Sequence, residues 1–260
     1  MSEAAEFLRD LTLDVVFQPI FGLESFTPFG FEVLGRARSS EGHGVYPPDV
    51  LLDRAYRAGR LLELDRAWRA LAIARIAEAR IESDLCWFFN IDSRCVDEPA
   101  LTSGFTRAAL EAAGLGGLRV TLELGERDPL LDAHRLARLV PHYAQQGFTI
   151  ALDDLGAGHA SLHRLVELRP DVAKLDMALI RGIDRDPYRL ALLKSLVRFS
   201  EEVGMQLVAE GIETPAELEA VRRQGVAFGQ GYLLGRPRAL PSGLRSRRMP
   251  AGARSVEVVA

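Results

Sequence analysis

Short apolar runs alternate along the chain with longer segments whose apolar residues recur every three or four positions. The short runs are rich in β-branched and aromatic residues and predict strands at 15–20, 29–34, 85–91, 118–124, 148–152, 172–175, 206–209 and around 227–230. Between most of them, helical spacing predicts helices at 48–60, 62–81, 106–113, 131–146, 161–168, 188–203 and 215–224. Thr214-Pro-Ala-Glu217 has the marks of a helix start: a capping threonine, proline at the first helical position, then a glutamate. Repeated strand–helix alternation implies parallel strands, and eight of them suggest closure into a barrel. The first connection departs from the rule. Residues 22–28 are too few for a helical crossover, so strands one and two are expected to pair antiparallel. The expected architecture is an α/β fold, a modified TIM-like (β/α)8 barrel with an antiparallel first strand. It would occupy 1–238, with a short helix over 3–11 and a flexible extension over 239–260.

Composition narrows the class. A chain of 260 residues with 48% hydrophobic content suits one barrel of this size. A formal net charge of -4 argues against a general surface for nucleic-acid polymers, so an anionic ligand would need local groups or bound metal. Cys86 and Cys95 have neither finger nor CxxC spacing and read as free thiols in a reducing compartment. The start lacks a signal-peptide pattern and no apolar run is long enough to span a bilayer, so a cytoplasmic protein without a membrane is expected.

The candidate chemistry sits at strand ends. In a parallel barrel the active site lies at the carboxyl ends of the strands. Reading those ends yields Asn90, Glu123, Asp153 with Asp154, Lys174, Glu210 and Gln230, joined by Gln18 and Glu32 on the first two strands. Singly, each has a structural reading: Asp153 or Asp154 can cap a helix, Lys174 can pair with Asp176, and Glu210 can sit in a solvated turn. Recurrence at the same end of almost every strand is harder to explain that way. Adjacent carboxylates at a strand terminus repel, and burying them costs free energy unless a cation or donors compensate. The acidic, all-oxygen set favours two magnesium or manganese ions over zinc, copper or iron. Two such ions roughly 4 Å apart suit phosphodiester cleavage. Lys174 would orient or deprotonate the water, and Arg36 would hold a second phosphate through its forked donors.

These motifs resemble a known family. Gln18-Pro-Ile20, Glu32-Val-Leu-Gly-Arg36, Phe89-Asn-Ile91, Leu122-Glu-Leu-Gly-Glu126, Asp153-Asp-Leu-Gly-Ala-Gly158, Lys174-Leu-Asp176, Ala209-Glu-Gly-Ile-Glu213 and Gln230-Gly-Tyr232 resemble, in order and spacing, the signature of EAL domains, the cyclic di-GMP phosphodiesterases. The resemblance implies hydrolysis of cyclic di-GMP to linear pGpG. It implies metal ligation by Glu32, Asn90, Glu123 and Asp153, with Asp154 and Glu210 completing a two-metal site. Lys174, Glu210 and Glu32 would be catalytic, and Gln18, Arg36, Asp176, Glu213 and Gln230 would contact substrate or support those that do. Glu126 would steady the loop after Asp154, which in the family leads to a homodimer interface. Calcium would inhibit.

Some positions differ from the family pattern. Val33 and Gly35 stand where alanine and leucine are usual, which predicts looser packing beneath Glu32. Gly125 replaces a common threonine and predicts a freer backbone beside Glu123. Leu155, His159 and Ala160 replace phenylalanine, tyrosine and serine in the loop. A catalytically weak domain acting as a cyclic di-GMP receptor or protein-interaction module is the alternative reading. His159 and His163, four apart, read as surface histidines rather than a metal pair, and Trp68 and Trp87 read as core.

Overall fold

The computed structural model describes residues 11–39, 44–81, 84–125, 133–157 and 161–241. Nine strands are present among them. β1 (Leu11–Gly22) and β2 (Pro28–Ser39) form a long hairpin, and β3 (Val45–Tyr46) is a short addition to the end of β2. β4 (Cys86–Ile91), β5 (Arg119–Leu124), β6 (Thr149–Leu155), β7 (Val172–Leu175) and β8 (Gln206–Ala209) follow in parallel register from β2. β9 (Phe228–Gly229) pairs parallel with β8 and antiparallel with β1, which closes the barrel. β1 therefore runs against both of its neighbours, as the short first connection requires. Leu11, expected within a helix, instead begins β1, and the rest of that expected helix lies outside the described residues. The expected extension is described only as far as Pro241; before it, Arg238 still bridges to Phe17.

The outer layer consists of α1 (Pro48–Arg57), α2 (Leu61–Ala79), α3 (Phe105–Ala112), α4 (Ala133–Ala137), α5 (Leu139–Gln145), α6 (Ser161–Leu168), α7 (Met177–Ile180), α8 (Pro187–Val203) and α9 (Pro215–Arg223). The single helix expected over 131–146 is two, α4 and α5. Pro141 is the cause: it has no N–H to offer the carbonyl of Ala137, and its ring crowds that group. α9 starts as its sequence predicts, with a complete capping box between Thr214 and Glu217.

Two apolar layers pack between helices and strands, while a smaller cluster fills the barrel itself: Ile20, Cys86, Phe88, Ala151, Val172 and Val208. Side chains alternate across a strand, so the residue two positions along faces the same interior. Two positions toward the mouth from these residues lie Gln18, Asn90, Asp153, Lys174 and Glu210. The apolar plug thus supports a polar layer directly above it. Trp87 is fully buried between the barrel and its helices, stacked 5.5 Å from Phe31. Both cysteines are buried free thiols, and among the described residues no helix is long and apolar enough to cross a membrane.

Candidate metal centre

Lys174 is at the middle of the polar layer, 1% exposed. Its Nζ lies 2.8 Å from Glu123 Oε1, 2.9 Å from Glu210 Oε1, 3.1 Å from Asp153 Oδ1 and 3.2 Å from Glu32 Oε2. Four carboxylates thus surround one ammonium, an excess of three negative charges if all are ionised (four minus one). Glu32 is held from two further sides: Gln230 Nε2 donates to Oε2 at 2.6 Å and Asn90 Nδ2 donates to Oε1 at 3.2 Å. β2 and β4 set this geometry through their parallel register, and Asn90 in turn lies opposite Glu123 on β5.

Adjacent strand residues normally point to opposite faces, yet the carboxylates of Asp153 and Asp154 come together. The pairing of β6 with β7 is irregular between Leu152 and Leu155, and Asp154 has φ +57°. This bulge turns both carboxylates toward the mouth. Oxygens of Asp153, Asp154 and Glu210 come within 4.8 Å of one another.

The electrostatics fit a divalent cation. Glu123 is 0% exposed; apart from the Lys174 ammonium beside Oε1, no donor among the described residues meets its oxygens. Burial, followed by the charge of Glu32, pushes its carboxyl well above the ordinary range. Burial does the same to Glu210, only partly offset by Lys174. Asp154 is raised to about 6 by burial and by Asp153 beside it. Burial also opposes charge on Glu32, but Lys174 and the donors Gln230 and Asn90 overcome it and lower its pKa. Burial likewise opposes charge on Lys174, while Asp153, Glu123, Glu210 and Glu32 outweigh it and hold the ammonium firmly protonated. As described, then, Lys174 is a donor; a role as base would need cations to draw the carboxylates away from it. Orphaned buried carboxylate oxygens fit hard divalent cations, which replace the protons such groups would otherwise retain.

The mouth opens into two lobes that share Glu32, Leu34 and Asp154. One, of about 250 Å³, takes in Arg36, Asn90, Asp153, Trp68 and Gly125; the other, of about 270 Å³, takes in Gln18, Asp176, Glu210, Glu213, Gln230 and Tyr232. The sequence-predicted contacts therefore divide between the lobes. Gln18 donates to the Gly235 carbonyl at 3.2 Å, Asp176 caps α7 through Ala178 N–H at 2.7 Å, and Glu213 accepts from Arg181 at 2.7 Å. Glu126, His159 and Ala160 lie outside the described residues.

The expected looseness beneath Glu32 is corrected. Val33 is buried, and the indole of Trp68 occupies the space beside Gly35. Trp68 is both core and cleft wall, a second role that its apolar pattern did not reveal. At Gly125 a side chain would meet nothing within 4 Å among the described residues, and its φ is not in the left-handed region. Tyr232, half exposed with Arg236 stacked 4.2 Å from its ring, was another lobe residue without an assigned role. Its sequence signal was its place in Gln230-Gly-Tyr232.

A closed barrel whose first strand runs antiparallel, with a cation-ready acidic layer at its mouth, is a narrowly defined class. The chain belongs to the EAL domain family, whose model matches residues 2–237. The family is metal-dependent. The cyclic di-GMP phosphodiesterase NbdA of Pseudomonas aeruginosa is 29% identical over 260 residues, a match covering 96% of this chain and 32% of NbdA. The chain spans less than half the length of this and the next curated relatives it matches. A standalone EAL protein from Vibrio cholerae, solved with c-di-GMP bound, is 28% identical with a TM-score of 0.77, covering 90% of this chain and 96% of that one. BlrP1 from Klebsiella pneumoniae, solved with calcium and c-di-GMP, is 27% identical with a TM-score of 0.75, covering 87% and 56%.

Proposed function

We propose that the chain is a metal-dependent phosphodiesterase that hydrolyses one phosphodiester bond of cyclic di-GMP to linear pGpG. The observation that carries this reading is the ring of four carboxylates around Lys174, with the buried Glu123 carboxylate met by that one ammonium and by no other donor among the described residues. The names and bound ligands of the relatives support it. Glu32, Asn90, Glu123, Asp153, Asp154 and Glu210 would hold two magnesium or manganese ions, which when bound acidify a water and neutralise phosphate charge.

The chain's own residues prepare the rest. Gln230 and Asn90 fix the Glu32 carboxylate before anything binds. Lys174, kept charged, donates to the attacking oxygen and to nearby phosphate oxygens, with Glu210 at its side. Arg36 faces one lobe with a guanidinium suited to two phosphate oxygens, while Gln18, Asp176, Glu213 and Gln230 line the other. Glu126 would steady the loop after Asp154. Calcium, which prefers more ligands at longer distances, would occupy the site without supporting cleavage.

A homodimer belongs to the same reading: Leu162 and Val166, one turn apart on α6, are 63% and 60% exposed, and α6 lies directly beyond the loop that follows Asp154. Residues 1–238 would form the working unit, and the buried free thiols agree with a reducing cytoplasm.

The test is incubation of the purified protein with cyclic di-GMP and magnesium or manganese, with a calcium control and chromatographic separation of products. pGpG in the magnesium or manganese reactions alone is the expected result. Saturable binding of intact ligand without product would make the protein a receptor instead.

A further inference from the structure

Trp68 sits on α2, outside the barrel, yet its indole reaches the lobe lined by Arg36. The topology explains how. Parallel pairing of β2 with β4 stops at Val33 opposite Phe89, and β3 takes up β2 again only at Ala37 opposite Tyr46. Residues 34–36 therefore present a stretch of strand edge covered by neither, and the indole fills it. Trp68 Nε1 donates to the Arg36 carbonyl at 3.0 Å. A Cβ at Gly35 would fall 2.4 Å from the ring, closer than real atoms approach. Gly35 does not have positive φ, so space for the ring, not backbone freedom, is what this position demands. Arg36 lines the cleft from the other face of the strand, and its Nη1 donates to the Gly35 carbonyl at 2.8 Å.

We infer that Trp68, seated in the space that Gly35 leaves, is a positioning residue that fixes the β2 backbone and so aims the Arg36 guanidinium at a phosphate of the bound cyclic dinucleotide. The role rests on the proposed function. An indole N–H on an otherwise open strand edge prevents residues 34–36 from relaxing outward, and its ring walls the lobe into which Arg36 reaches. This device belongs to the particular pair in this chain: a side chain at 35 and an indole in this seat exclude each other.

The experiment compares Trp68→Phe, which keeps a ring and removes the donor, with Gly35→Ala, which pushes the ring away. Each should raise KM for cyclic di-GMP about five- to tenfold, the effect of one lost polar contact. The expected kcat stays near the wild-type value. In an Arg36→Ala background, Trp68→Phe should add nothing further, because the tryptophan acts through the arginine. This non-additivity is read at temperatures where each variant is folded, so a merely structural loss does not reproduce it. Cyclic di-GMP titrated in calcium should also change the fluorescence of the wild type but not of Trp68→Phe, since Trp87 is fully buried. Unchanged KM in both single variants, or full additivity with Arg36→Ala, overturns the positioning role and leaves the phosphodiesterase standing. A wild type that neither binds nor cleaves cyclic di-GMP removes both.

Discussion

Glu217 and Glu123 are both almost entirely buried, and their surroundings are opposite. Glu217, at the start of α9, accepts backbone N–H bonds from Gly182, Thr214 and Glu213 at 2.8, 2.9 and 3.0 Å. Burial alone would raise its pKa, but these donors prevail and lower it. Glu123, in the barrel mouth, has no such donors and faces the rival charges of Glu32 and Asp153. The first carboxylate is complete within the chain and stabilises a helix start joined to the preceding loop. The second has only the Lys174 ammonium beside it, and a divalent cation would complete it. Burial of a carboxylate therefore says little about its role; the inventory of donors around it distinguishes scaffold from site.

The largest effect that would break this contrast is on turnover. Glu123→Gln, Glu32→Ala and Lys174→Ala should each lower kcat by about a thousandfold or more while circular dichroism shows an intact barrel, since each removes a group that holds or replaces metal charge. Glu217→Ala should do the reverse, leaving kcat of the folded protein near normal. Its cost appears in urea unfolding, about 2–4 kcal/mol for orphaning several buried backbone donors. Near-normal turnover in Glu123→Gln would remove the distinction altogether.

Metal sharpens the comparison at a smaller scale. A hundredfold excess of manganese over its Kd should stabilise the wild type by about 2.7 kcal/mol, read as a rise in Tm. Glu217→Gln should keep that rise and Glu123→Gln should lose most of it.

The smallest expected effect is the sign of the pH dependence. Asp154 ionises near 6 when folded, against about 3.9 unfolded. The unfolded chain thus loses its proton first, and the contribution of Asp154 to metal-free stability falls as pH rises from about 4 to about 6, then levels. Glu123 and Glu210, also raised by burial, add to the fall. Glu217, lowered when folded, contributes stability above the ordinary carboxylate pKa that is lost as pH falls through its folded value. Stability curves of metal-free protein should show the first slope shrink in Asp154→Asn and the second shrink in Glu217→Gln.

Much of the mouth was legible because strand periodicity is short and strict. An apolar residue facing the barrel interior predicts what its neighbour two positions away will face, so Asn90, Asp153, Lys174 and Glu210 could be read as one layer before any coordinates. The antiparallel hairpin followed from a count of residues between two apolar runs. The break at Pro141 was also written in the sequence, but the helical period on either side concealed it. Asp154 was harder: only a bulge brings it to the same side as Asp153, and nothing in alternation announces a bulge.

The division of contacts into two lobes, with Arg36 apart from Gln18, Asp176, Glu213 and Gln230, was not legible. Nor was the indole beside Gly35. A glycine in a strand reads as weakness until the helix that covers it is known.

The sequence by itself determined the succession of elements, the polar residues at the strand ends and the Thr214–Glu217 capping box at the start of α9, because each is read from residues close together along the chain. Tertiary structure alone decided which carboxylates surround Lys174, which of their oxygens find no donor, and what fills the space at Gly35. Those outcomes depend on register between strands far apart in sequence, from Glu32 on β2 to Lys174 on β7, and only closure of the barrel sets it.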